Sequence, residues 1–179
     1  MIIRQRITSE KDTLFSFCWE LYLSSFPEIE RRDLDYHTQA LTYTQFHFDA
    51  ILYQGKAVGL ISWWDFDNLR YIEHLATSSA VRGKGLGAQI ITDFINEDSK
   101  DILLEVEHPT NELSTRRVGF YERLGFVLND HRYFQPSYRQ IDGEELPLLI
   151  MSYPHPISQE RLQEFVDNEL MVIHFGNKF

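Results

Sequence analysis

The chain predicts a mixed α/β domain, on three observations. Residues 46–53 and 56–65 are rich in strand formers and meet at Gln54-Gly55, the mark of an antiparallel hairpin. A glycine-dense turn, Val81-Arg-Gly-Lys-Gly-Leu-Gly87, separates a predicted strand at 71–77 from a helical stretch at 86–96. An apolar run at 102–106, interrupted only by Glu105, then completes a strand–helix–strand unit whose second strand is buried and parallel to its predecessor.

The remaining elements follow from pattern. Residues 2–8 alternate like an edge strand, and Ser9 with Asp12 three positions on reads as a capping-box start for a helix through Leu14, Phe17, Cys18 and Leu21, ended by Pro27. Residues 28–35 carry six charges in eight positions and read either as a solvated loop or as the rim of a site, before a short helix near 34–41. In the helix after the glycine turn, Leu86, Ile90, Ile91, Phe94 and Ile95 recur on one face. Residues 111–124 predict a further helix stopped at Gly125. Strands are predicted at 126–128 and 146–153, with a polar loop between them that contains the aromatic patch Tyr133, Phe134 and Tyr138. Pro154-His155-Pro156 breaks the chain, and Ser158 caps a last helix whose Leu162, Phe165, Val166 and Leu170 form one stripe. That stripe suits either a sheet edge or a homodimer contact.

Composition narrows the function. A formal charge of −10 argues against general nucleic-acid binding, which needs Lys and Arg against phosphates, and favours a cationic ligand such as an amine. The single cysteine, Cys18, has no partner for a disulfide or a thiolate metal cluster, and the isolated histidines His37, His47, His108 and His174 lack metal-ligand spacing. The first residues show no secretory pattern and no later apolar run reaches membrane-spanning length, so a cytoplasmic protein is expected, with no membrane partner.

The glycine turn is the chemical centre. Unblocked amides at the start of a helix, with the positive end of its dipole, suit a phosphate. Arg82 and Lys84 supply local positive charge, and Arg116 with Arg117 make a second basic pair. A Walker loop is excluded, because Gly83-Lys84 is followed by Gly85 and the position five before Gly83 is Ser78. A dinucleotide fingerprint fits Gly83 and Gly85, but its third glycine falls one residue early, at Gly87. A third pattern, Arg/Gln-x-x-Gly-x-Gly/Ala, is met by Arg82, Gly85 and Gly87. With Gly119-Phe-Tyr-Glu-Arg-Leu-Gly-Phe126, where a tyrosine stands four residues before Gly-Phe, the chain resembles the GCN5-related N-acetyltransferase (GNAT) superfamily.

That resemblance covers residues 2–153 in element order and is residue-specific from about 71 to 126. It implies an acetyltransferase domain at 1–153, with residues 154–179 as a helical extension packed on or beside it. The implied fold is a mixed, mostly antiparallel sheet splayed at its fourth and fifth strands and flanked by helices. It implies acetyl-CoA as co-substrate without a metal, and direct attack of a primary amine, from a small molecule or a peptide, on the thioester. The coenzyme is then expected against Leu75, Thr77, Arg82, Gly83, Lys84, Gly85, Leu86, Gly87 and Ala88, with a backbone amide near Leu75 serving the oxyanion. Glu73 is the expected general base, sharing strand parity with Leu75 and Thr77 while His74 faces the other side; Glu105 and Glu107 are alternatives for the base or for holding a cationic amine. Glu73 can equally be a carboxylate paired with a nearby arginine or with His74. Tyr121 is expected to protonate the leaving thiolate, its other reading being a core tyrosine. Ser114 and Arg117 stand where many members have Asn and Ala, so Ser114 takes the place of an amide contact to the coenzyme, with Asn111 nearby. Trp63, Trp64 and Asp65 either hold an ammonium or belong to the core. The alternative function is an acyl-CoA-binding sensor without turnover.

Overall fold

A computed structural model describes residues 1–139, 141 and 143–176. They fall into two compact units, one of residues 1–65 with 72–99 and one of residues 66–71 with the chain from Lys100 onward.

The first unit contains β1 (Ile2–Ile7), α1 (Phe15–Ser25), a 3-10 turn at Glu28–Glu30, α2 (Leu34–Ala40), β2 (Phe46–Tyr53) and β3 (Lys56–Asp65). It continues with most of β4 (Leu69–Thr77), a second 3-10 turn at Ser79–Val81 and α3 (Leu86–Asn96). The strand order is β1-β2-β3-β4. β1 lies at the edge, antiparallel to β2 from Ile2 opposite Tyr53 to Ile7 opposite Phe48. The β2–β3 hairpin has the limits that the sequence predicts. Its two turn residues, Gln54 and Gly55, both have positive φ, as a tight right-twisted hairpin requires.

α1 departs from expectation. Ser9 and Asp12 do not cap it; their side chains accept from the amides of Lys11 (3.2 Å) and Leu14 (2.9 Å) in the preceding turns. The helix starts at Phe15 and buries Cys18, as expected, together with Phe15 and Tyr22, while Leu14, Phe17 and Leu21 are only half-buried. Burial pushes the Cys18 thiol up to about 12, helped by Asp12 and Asp49, so it stays protonated and unreactive. α2 is capped by the Asp33 carboxylate, which accepts from the Tyr36 amide at 2.8 Å.

α2 also places His37, fully buried, within a ring of aromatic side chains: Phe48 at 4.5 Å between ring centroids, Trp19 at 5.0 Å, Tyr22 at 5.3 Å, Phe46 at 5.7 Å and Phe15 at 6.3 Å. Neither ring nitrogen has a hydrogen-bond partner among the described residues. Burial, with Arg32 adding to it, lowers His37 to about 3. The unfolded chain therefore binds a proton, at about pH 6.5, that the folded chain refuses, and stability is lost as pH falls below that value. By pH 5 this loss should reach about 2 kcal/mol. Urea unfolding at pH 7 and pH 5 should show it in the wild type, and His37→Leu should flatten the difference.

The second unit holds β5 (Asp101–Glu107), α4 (Glu112–Glu122), β6 (Val127–Pro136), β7 (Glu145–Tyr153), α5 (Gln159–Asp167) and α6 (Glu169–Phe175). Its strand order is β5-β7-β6, with both pairings antiparallel. Here β6 is much longer than predicted. An irregularity between Asn129 and Tyr133 absorbs the polar triplet Asp130-His131-Arg132, and pairing then resumes to Pro136. Tyr133 and Phe134 thus belong to a strand and not to a loop. The predicted last helix is two helices, interrupted at Asn168 (φ −114°, ψ −74°). Of its apolar stripe, Leu162, Phe165 and Leu170 are buried within the chain and Val166 is half-buried.

Candidate functional site

The glycine turn takes the geometry that its composition calls for. Gly83 (φ +77°) and Gly85 (φ +76°) both occupy the left-handed region, and an added Cβ at either would meet nothing within 4 Å. Glycine is needed there for the backbone path and for open access to the amides. Gly85 is the N-cap of α3 and offers no capping side chain; the first amide bonded back to the turn is Gln89 N, to Gly85 O at 3.1 Å. The preceding first-turn amides, Leu86 to Ala88, point from the positive end of an 11-residue helix. Arg82, Gly83, Lys84 and Gly85 are exposed, Gly87 and Ala88 half-buried, and Leu86 anchors the helix in the core.

On β4, Leu75 and Thr77 are half-buried, and so is Glu73, but with its carboxylate turned inward. Its side chain is 1% exposed and forms a bidentate pair with Arg32, itself fully buried, at 2.6 and 2.8 Å. Trp64 Nε1 donates to it at 3.3 Å, and Ser62 Oγ lies 3.3 Å away. Burial alone would raise this carboxyl, but the Arg32 guanidinium and the neighbouring His74 hold it well below the usual carboxylate range. A carboxylate so engaged is a weak proton acceptor, and the pair with Arg32 is the arginine-paired arrangement that the sequence also allows for Glu73. His74 does not face away either: its Nδ1 lies 3.1 Å from Ser62 Oγ and 3.5 Å from Glu73, so strict strand alternation fails at these two residues. His74 Nε2 donates to Glu30 O at 2.8 Å. The charged segment at 28–35 is thus bolted to β4 at two points. Sequence reasoning missed Arg32, because a charge run carries no mark of which member is buried.

Trp63 and Trp64 are core residues. Trp63 Nε1 donates to the buried Asp49 at 2.9 Å, and Trp64 serves Glu73.

In the second unit, Asn111 caps α4 and Ser114 closes a reciprocal capping box: Ser114 N donates to Asn111 Oδ1 at 2.9 Å, and Asn111 N to Ser114 Oγ at 3.2 Å. Ser114 is 1% exposed. Its hydroxyl and the Asn111 side-chain oxygen are both engaged at the helix start. The second basic pair is partly neutralised, Arg116 by Glu112 at 3.6 Å and Arg117 by Glu107 at 3.1 Å. Tyr121 is buried on α4 between Phe120 and Phe126, and burial pushes its phenol up to about 12 against the opposing pull of Arg117. Its proton is firmly held at neutral pH. Gly125 (φ +93°) ends the turn after α4, and the Phe126 amide closes on Tyr121 O at 3.1 Å. Glu105 on β5 accepts from Tyr133 Oη and from Gln135 Nε2. Among the described residues no group of His, Cys, Asp and Glu is arranged to hold a metal ion, and no helix is long and apolar enough to cross a membrane.

Comparison with known proteins agrees with this geometry. A family model described as an acetyltransferase (GNAT) domain matches residues 44–128. The chain is 32% identical over 163 residues to YjbC of Bacillus subtilis (strain 168), a protein named as an acetyltransferase, covering 87% of this chain and 81% of that one. A GNAT-family structure from Bacteroides thetaiotaomicron aligns with a TM-score of 0.87 at 33% identity, over 98% of this chain and 99% of that one. A GNAT-family acetyltransferase from Elizabethkingia anophelis, solved with acetyl-CoA bound, shares the fold at a TM-score of 0.57 and 15% identity, over 84% and 96% of the two chains.

Proposed function

The chain belongs to the GNAT acetyltransferase family, and from that premise we propose that it transfers the acetyl group of acetyl-CoA to a primary amine by direct attack on the thioester. The observation that carries the coenzyme assignment is the turn through Gly83 and Gly85, whose left-handed backbone leaves the first amides of α3 open. In this reading the amides of residues 82–88 bind the diphosphate, with Arg82 and Lys84 adding charge from the exposed rim. Leu75 and Thr77 line the pantetheine arm, and an amide near Leu75 serves the oxyanion. The amine nitrogen bonds to the acetyl carbon, the carbon–sulfur bond breaks, Tyr121 gives its proton to the departing thiolate, and the proton shed by the acylated nitrogen restores the phenol.

With Glu73 held ionised by Arg32, the amine enters as its neutral fraction. An alkyl amine has a pKa of about 10.4, so kcat/KM should rise about tenfold per pH unit from pH 7 to pH 9. Tyr121→Phe should lower kcat by about 100-fold with little change in acetyl-CoA affinity. Single-turnover kinetics would separate the two effects.

The occupied Glu73 is also what favours a second reading, an acyl-CoA sensor without turnover. Calorimetry with CoA and acetyl-CoA, followed by thiol release with a panel of polyamines, amino sugars and peptides, separates the two. Acceptor-dependent release is expected. Binding with no release for any acceptor would establish the sensor, and no binding would remove both readings.

A further inference from the structure

Among the described residues, Gly59 is the only glycine inside a β-strand, and its φ is not positive, so no turn requires it. A glycine within a strand packs nothing and weakens the pairing unless another backbone has to pass close by. The end of β4 does so here. A Cβ on Gly59 would lie 2.6 Å from the carbonyl oxygen of Ala76 and 3.4 Å from both Cα and Cγ2 of Thr77. Regular pairing is interrupted at the same point on the other side of β3. Ile51 of β2 is opposite Gly59 and Leu52 is opposite Ala57, which leaves Val58 as an extra residue on β3. The carbonyl of Val58 then accepts from Ser78 N at 2.8 Å, one residue past the end of β4.

A side chain at Gly59 would have to displace something, and its two surroundings differ in how readily they give. On β3, Val58, Leu60 and Ile61 are all buried, and the strand is held against β2 along its length. Thr77 and Ser78 are only half-buried and lead into the exposed residues Ser79 and Ala80. The end of β4 is the part that would move, by about 1 Å, since ordinary van der Waals contact begins near 3.4 Å.

We propose that Gly59 is a positioning residue for acetyl-CoA. By carrying no side chain, it lets Ala76 and Thr77 settle against β3 at the height where the pantetheine arm lies along Thr77 and the acetyl carbonyl meets the amide near Leu75. This rests on the acetyl-transfer reading and adds to it a residue on the neighbouring strand that touches no ligand itself. A displacement of about 1 Å at a positioning group can cost about 100-fold in rate.

Gly59→Ala should weaken the binding of CoA by about tenfold or more in calorimetry, raise KM for acetyl-CoA in step, and lower kcat at saturating coenzyme by about 10- to 100-fold. ADP carries the diphosphate without the pantetheine arm and should keep its affinity, because residues 82–88 retain their own backbone path. Ile51→Ala is the control for lost stability. It empties a fully buried site opposite Gly59 and puts nothing against β4, so it should leave CoA affinity and kcat unchanged at a temperature where every variant is folded.

A loss confined to CoA and to Gly59→Ala upholds the assignment, with or without turnover. Unchanged CoA affinity and kcat in Gly59→Ala, equal losses for CoA and ADP, or the same losses in Ile51→Ala would each overturn it. Failure of Gly59→Ala to fold where Ile51→Ala folds would overturn it too, since the glycine would then serve the fold alone. A wild type that binds CoA but acetylates no amine fails the transfer reading and leaves the affinity comparison to decide Gly59. A wild type that binds no CoA removes both.

Discussion

Arg32→Met should destabilise the protein by about 3–5 kcal/mol, because it strips a buried carboxylate of its counter-charge. The variant leaves the Glu73 side chain 1% exposed with its guanidinium gone, and the neutral donors Trp64 and Ser62 near its oxygens cannot replace that charge. Arg32 also ties down the chain around it: its amide donates to Tyr22 Oη at 2.9 Å, and its guanidinium lies over Phe46 and Trp64. Because the carboxyl is held low in the folded state, the pair contributes fully above the unfolded carboxylate pKa of about 4.5 and is lost as pH falls through the folded value. The loss in Arg32→Met should therefore be undiminished at neutral pH. Pairing Arg32→Met with Glu73→Leu should recover much of it, since an apolar replacement of a buried ion pair is often neutral. Denaturant unfolding of the two single variants and the double variant measures this directly. Additive losses would mean that the two residues do not act as a pair.

Gly85→Val should weaken coenzyme A binding by at least about 100-fold while costing the fold only about 1–2 kcal/mol. The cost to the fold is that of a β-branched residue at φ +76°, and it stays small because the added Cβ meets nothing within 4 Å. The cost to binding is larger, since the side chain projects where a diphosphate must approach the amides of α3. Gly55→Val provides the matched control. Gly55 has φ +75° and equally open surroundings, but it lies in the β2–β3 hairpin. It should lose the same stability with no change in coenzyme affinity. Calorimetry on both variants decides the matter: equal affinities for the two would show that the glycine turn does not touch the ligand.

Much of this molecule is legible in one sequence, for identifiable reasons. α3 begins and ends where its apolar periodicity does, and the hairpin at Gln54-Gly55 is fixed by two residues that tolerate positive φ. The glycine turn is legible because left-handed backbone is nearly a property of the residue type. The errors share another cause. A second capping signal at Ser9 and Asp12 competes with the real start of α1, and the polar triplet in β6 hides a strand because an irregularity suspends its alternation. The capping bond from the Asn111 amide to Ser114 was likewise hidden, because the family motif draws attention to position 114 for another reason.

The order of the elements, the left-handed backbone of the glycine turn and the family resemblance were legible from local pattern: periodicity, φ preference and short motifs all act within a few neighbouring residues. What only the tertiary structure decided is the chemistry of the charged side chains. Whether Glu73 is a base or half of an ion pair depends on Arg32, 41 positions away, and the donors that meet Glu105 include Gln135, 30 positions away. A carboxylate's basicity is set by burial and by the charges and donors packed against it, and those are brought together only when the chain folds.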